Sequence, residues 1–329
     1  MASAPPTPPL VTPAPPTNQP ADIDDNKVPQ DSGDSGRNPG TFEDIHKKTR
    51  DVFPNPFEGA RLVVNKGLSN HFQINHSLTL SSLQQSCYKF GATYVGTKQI
   101  SPNEAFPVLL GDIEPSSGNV NANIIHQFTD NIRTKFVTQI QNKKWAISQL
   151  ANDIRGYNYT ATVTIGNPDL MTESGVLVAH YLQNITKNLD MGAEWIYQRS
   201  PNVPGGQMGV VSVGGRYVRG PWTFSGNLTL FSLSESSIHG CFHRKLNESL
   251  QIAGEIESNQ RTKECTATIG YQVDLPQAHL TFRGQIDSNY QVGAVFEKKL
   301  PPLPFTFQMS GWANHVKQTF RFGLGLMIG

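Results

Sequence analysis

No apolar run in the sequence is longer than a few residues, whereas a membrane-crossing helix needs about 20 consecutive apolar residues. No transmembrane helix is expected. Lys and Arg are missing from residues 1–26, as is any apolar core. That excludes a secretory signal and argues against an Arg-rich cleavable presequence, so any organelle address is expected inside the mature chain. Without secretion, the N-x-S/T sequons beginning at Asn75, Asn158, Asn184, Asn227 and Asn247 never meet the glycosylation machinery. Cysteine is scarce: Cys87, Cys241 and Cys265 are far apart, odd in number and without C-x-x-C spacing. Neither a disulfide framework nor a zinc motif is expected from them.

Catalytic motifs are absent as well. The chain contains no G-x-x-x-x-G-K-[ST], H-E-x-x-H or G-x-S-x-G, and Gly323-x-Gly325-x-x-x-Gly329 lacks both the spacing and the following helix of a dinucleotide site. No enzymatic activity and no cofactor are expected. With a formal net charge of +1 there is no basic footprint for nucleic acid either. The nine histidines are scattered; His76, in an apolar strand register, reads as structural. His239 and His243 flank Cys241 on one strand face, but the sequence shows no fourth ligand, so no metal site is expected.

Proline is abundant in one place. Residues 1–40 hold ten of the 23 prolines and five Asp but no aromatic residue, which reads as a disordered tail unable to bury enough apolar surface to offset its ordering entropy. At Thr41 the texture changes. Thr41 and Asp44 form a T-x-x-D capping pattern, and Phe42, Ile45, Thr49 and Val52 fall at helical spacings before Pro54 and Pro56. One amphipathic helix of about three turns, with its linker, is expected over residues 41–57.

From Glu58 to Gly329 the period is two. Cys265, Ala267, Ile269, Tyr271 and Val273 alternate with Thr266, Thr268, Gln272 and Asp274, and Leu280, Phe282 and Ile286 alternate with Thr281, Arg283, Gln285 and Asp287. About nineteen such segments fit in residues 58–329, each the length of a tilted strand of ~9–11 residues plus a short turn. An open sheet of that size would leave two edges and too many polar inner faces for a dry core. Closure removes the edges, wets the polar faces and gives the apolar faces to lipid. The expected fold is an all-β membrane protein, a transmembrane β-barrel of about nineteen strands. Trp145, Trp195, Trp222, Trp312, Tyr217 and Tyr290 are candidates for its interfacial aromatic girdles.

Five stretches, Asn65–Gln73, Ser101–Asp112, Gly166–Asp169, Val178–Gln183 and Lys298–Pro304, together resemble the channel-subunit family of the mitochondrial outer-membrane protein translocase, within the eukaryotic porin superfamily. The resemblance runs from about Thr41 to Gly329. It implies nineteen strands, a parallel pairing of first and last strands, and a short helix lodged in the lumen. Also implied are import of mitochondrial precursor proteins, an outer-membrane location, single-span receptor and small accessory subunits against the lipid face, and a barrel dimer. Arg50-Asp-Val-Phe53 is also similar to the N-terminal helix of voltage-dependent anion channels. A metabolite porin of that type is the alternative function, and a soluble β-rich binding protein a more distant one. The five stretches and the Pro-rich extension favour import.

Three groups of residues are candidates for the work. Arg321, Gly323, Leu326 and Ile328 match the β-signal of mitochondrial barrels, in which a glycine permits close backbone approach and alternate apolar side chains present one face to an insertion machine. An ordinary terminal strand meets the same pattern. Glu194, Glu255, Glu257, Asp274, Asp287 and Glu297 lie at inward registers, where acids in a confined channel attract basic presequences weakly enough to release them. Each could equally be a solvated or paired strand charge. Residues 58–329 carry 18 acids and 22 bases, so the lumen is acidic only in patches. Finally, Phe42, Ile45, Phe53 and Phe57 offer apolar contacts inside the lumen, either to unfolded clients or to the barrel wall as a prop.

Overall fold

The computed structural model describes residues 38–82, 85–101, 104–141, 144–169, 173–201, 205–232 and 235–329. All but the last three residues of the expected Pro-rich tail lie outside them. A 3-10 turn, Phe42–Asp44, and a short helix α1, Lys47–Val52, come first. Nineteen strands follow. They are β1 (Gly59–Gly67), β2 (Phe72–Leu80), β3 (Cys87–Ser101), β4 (Glu104–Glu114), β5 (Asn119–Thr129) and β6 (Ile132–Gln141). Next are β7 (Lys144–Arg155), β8 (Tyr159–Asp169), β9 (Ser174–Thr186), β10 (Leu189–Arg199), β11 (Gln207–Arg219), β12 (Trp222–Ser232) and β13 (Glu235–Lys245). Last are β14 (Leu250–Asn259), β15 (Glu264–Leu275), β16 (Leu280–Asp287), β17 (Gln291–Lys299), β18 (Phe305–Asn314) and β19 (Thr319–Ile328).

Each strand pairs antiparallel with the next, and β1 also pairs in parallel with β19, from Gly59↔Gly323 to Val64↔Ile328. The sheet closes on itself and has no free edge, as the alternation and the family resemblance led one to expect. With an odd number of alternating strands the first and last must run the same way.

The distribution of apolar side chains is inverted relative to a water-soluble protein. Among the described residues ten hydrophobic side chains are buried, whereas 47 large ones are exposed. Leu78, Ile113, Leu150, Val163, Ile256, Ile269 and Phe322 are among those on the outer face. Thr160, Thr162, Thr164, Asp153, His180 and Asp190, by contrast, are buried on the inner one. Period-two sequence gives each strand a greasy and a wettable side, and closure assigns the first to lipid. His76 falls in the lipid register and is satisfied there by the Tyr88 hydroxyl at 2.7 Å.

Trp145, Trp195 and Tyr217 face outward and are exposed. Trp222 stacks on Phe224, and the Arg244 guanidinium lies over its ring at 4.3 Å. Tyr290 is in the turn before β17 with φ 56°. The expectation for Trp312 is corrected: it is register partner of Gly293 and Arg321, and a Cβ built on Gly293 would meet its ring at 2.7 Å, on the lumen side. An indole on a polar face is indistinguishable in sequence from one on an apolar face when its neighbours, Gly311 and Ala313, are small.

The three-turn helix is also corrected. Phe42, Ile45, Thr49 and Val52 are all buried, as their spacing predicts. The backbone, however, is a 3-10 turn and a six-residue α-helix, broken at His46 (φ −97°, ψ 5°). Thr41 Oγ1 donates to the Asp44 carboxylate at 2.6 Å and makes no hydrogen bond to a cap amide. Contacts with the wall, rather than local capping, hold this segment.

Candidate functional site: the lumen and its N-terminal segment

Residues 38–57 run along the inner wall from β8 to β19. Asn38 donates from Nδ2 to the Gly156 carbonyl at 2.8 Å and accepts from the Thr160 hydroxyl at 3.1 Å. Arg216, paired with Asp190 at 2.6 Å, donates to the Pro39 carbonyl at 2.8 Å. Phe42 and Ile45 pack on Leu182 of β9, with Phe42 stacked on the His180 ring. Further along, His46 Nδ1 is 2.9 Å from the Ser225 hydroxyl, and its ring lies 4.5 Å from that of His239. Burial, then the charge of His239, holds the His46 imidazole down to about 4, neutral at pH 7.

Glycine makes room for the two remaining aromatic contacts. A Cβ on Gly270 would meet the Phe53 ring at 2.5 Å. A Cβ on Gly323 would meet the Phe57 carbonyl oxygen at 2.4 Å and its ring at 2.8 Å. The Phe57 amide donates to Ser310 Oγ at 2.9 Å, so the chain is tied to β18 and β19 just before it enters β1. In the four-residue terminal-strand pattern, Arg321 and Gly323 therefore lie on the lumen side while Leu326 and Ile328 share the lipid side with Phe322 and Leu324.

All six candidate acids lie on inward registers, but their surroundings differ. Glu194 stands 3.3 Å from His180 Nε2, and Glu255 2.5 Å from His239 Nε2. Asp274 accepts from Gln272 Nε2 at 2.7 Å. Asp287 accepts the amides of Asn289 and Gln291, fixing a turn. Glu297 accepts from Gln308 Nε2 at 3.2 Å and lies 4.0 Å from Arg283. Glu257 is exposed and has no ion-pair partner among the described residues. A second polar patch had no place among the candidates. Asp112 and Glu114 of β4 line a recess with Lys89, Asn121 and Gln139, about half the circumference away from β14. The same alternation marks Asp112 as inward; its neighbours Leu110 and Gly111 obscure the period.

The model of the family described as eukaryotic porin matches residues 38–323. Curated relatives include "Mitochondrial import receptor subunit TOM40 homolog 2" of Drosophila melanogaster, 51% identical over 89% of this chain and 84% of that protein. The chain is a eukaryotic porin of the TOM40 family. A Xenopus laevis TOM40 homolog is 49% identical over 93% of this chain and 88% of its own length, and the Homo sapiens TOM40 homolog 47% over 89% and 78%. Among solved structures, a Rhodopseudomonas blastica porin triple mutant superposes with a TM-score of 0.48 at 9% identity, over 78% of this chain and 98% of that one. Membership does not rest on that superposition. Within the eukaryotic porin match falls the whole lumen-lining segment from Asn38 onward. The anion-channel alternative is not favoured, because the relatives at 45–51% identity carry the TOM40 name.

Proposed function

We propose that this chain is the protein-conducting channel for import of mitochondrial precursor proteins across the outer membrane. The observation that carries the reading is a closed nineteen-stranded barrel, polar within and apolar outside, in a chain about half identical to TOM40 homologues. Barrels of 16–18 strands already enclose aqueous channels, and a client helix is about 10–12 Å across. Conduction through such a pore is passive. Direction comes from binding partners beyond it, and the chain itself performs no catalysis.

Receptor and small accessory subunits pack on the lipid face, and two barrels associate. The lumen acids give basic presequences weak, reversible footholds, with Glu257 the most available of the six. Phe42 and Ile45, being buried against β9, act as a prop, which leaves the half-exposed Phe53 and Phe57 as the apolar surface a client can touch. The terminal-strand residues Arg321, Gly323, Leu326 and Ile328 serve insertion of the barrel.

Planar-bilayer recording tests the central reading. Reversible block by a basic presequence peptide is expected; voltage-gated anion selectivity without peptide block would instead mark a metabolite pore. Neutralising Glu255, Glu257 and Asp287 together should slow import and shorten peptide block, and the acid role is lost if both are unchanged. Glu257→Gln alone should shorten block without altering barrel stability. Asp287→Ala should weaken the β16–β17 hairpin by about 1 kcal/mol, since one oxygen of its carboxylate accepts both turn amides.

A further inference from the structure

We propose that the lumen contains a zinc site built on His46, His239 and Cys241, with Glu255 at its edge, which fastens the N-terminal segment to the barrel wall. Ligand atoms of His46, His239 and Cys241 all lie within 4.8 Å of one another. His239 Nε2 is 3.4 Å from Cys241 Sγ and 2.5 Å from Glu255 Oε1, so the carboxylate converges on the same ring nitrogen. Three donors thus come from two places far apart in sequence, the break before α1 and two alternate inward positions of β13, with the Glu255 carboxylate of the neighbouring strand β14 at the edge of the cluster. Sequence spacing alone supplies only the β13 pair.

The donor set selects the ion. Two imidazoles and one thiolate, completed by a water or by the Glu255 carboxylate swung inward, make a four-coordinate, borderline-soft site suited to Zn2+ rather than to Mg2+ or Ca2+, which prefer all-oxygen shells. Bond lengths of about 2.0–2.3 Å set ligand-to-ligand separations of about 3.3–3.8 Å in a tetrahedron. The Cys241–His239 separation already has that value, Glu255 must turn away from the His239 nitrogen, and His46 must close by no more than about 1.5 Å. Ser225 engages His46 Nδ1, which leaves Nε2 for the ion. Asn227, register partner of His239, has a buried Oδ1 with no hydrogen-bond partner, a spare acceptor beside the cluster for a ligand's ring N–H. Cys241 is 7% exposed and loses its thiol proton to solvent as the metal binds. The ion would span the one place where the helix break at His46 meets the wall.

Titration of the full-length, metal-free chain, refolded in detergent, with Co2+ as the probe and Zn2+ as competitor tests this. One ion per chain is expected, with visible bands of tetrahedral cobalt and a near-ultraviolet sulfur-to-cobalt band that Zn2+ abolishes. Cys241→Ser should remove the sulfur band, and His46→Ala should weaken affinity at least about tenfold, whereas Cys87→Ser and Cys265→Ser leave both unchanged. His46 belongs to no strand, so its replacement leaves the barrel assembled, which circular dichroism checks. Added Zn2+ should also slow amide exchange in α1. Absence of a stoichiometric sulfur-to-cobalt band in the native chain overturns the proposal. So does a band whose affinity His46→Ala leaves unaltered, which would mark a strand-only, adventitious metal.

Discussion

Glycines on the inner face are seats for aromatic rings. Gly270 faces only the Phe53 ring at close range, so Gly270→Ala should cost about 1–3 kcal/mol by overpacking. Phe53→Ala in the same chain should recover most of that, read as a double-mutant cycle on thermal unfolding in detergent. Gly323 differs, because the Phe57 carbonyl oxygen as well as its ring occupies the space. Gly323→Ala should therefore destabilise the closed barrel, and Phe57→Ala should rescue it only in part. Gly323 of the terminal-strand pattern then has a packing reason in the finished barrel. Alternation in the sequence made the inward register of Glu194, Glu255 and Glu257 legible. It could not show that Glu255 meets His239 or that His239 meets His46, because such partners are set by strand register and by a segment about two hundred residues away.

At the scale of the element, the N-terminal segment was legible as one apolar stripe but not as a broken helix. Spacing reports which side chains share a face; it does not report that β13, β14 and β15 impose their own geometry on six helical residues. Val52 and Ile45 are 1% and 2% exposed, far more buried than a loosely tethered plug would be. Ile45→Ala should lower barrel stability by about 2 kcal/mol and raise open-channel conductance noise as the segment loosens. Deleting residues 1–57 separates the two roles for this element. A prop changes the unfolding temperature, whereas a docking surface changes client transfer while leaving that temperature in place.

On the scale of the whole molecule, strand count, closure and the two-faced wall followed from a period-two pattern repeated over most of the chain. The girdles were less legible, because an aromatic residue near a strand end gives no sign of its facing. Pairing between β1 and β19 extends over six residues, against eleven between β10 and β11, and parallel ladders are slightly weaker per residue. Amides along the β1–β19 seam should exchange before those of β10 and β11 in micelle-bound protein, measured by mass spectrometry. The purified chain should resist alkaline carbonate extraction from membranes.

That seam also sets a schedule. Gly59 finds its partner Gly323 only after all the intervening strands have been made, a highly non-local contact of the kind that forms slowly. Until the ribosome has released nearly everything, two raw borders stand open to neighbours, so a cell making this protein must shepherd each nascent copy to its membrane unfinished.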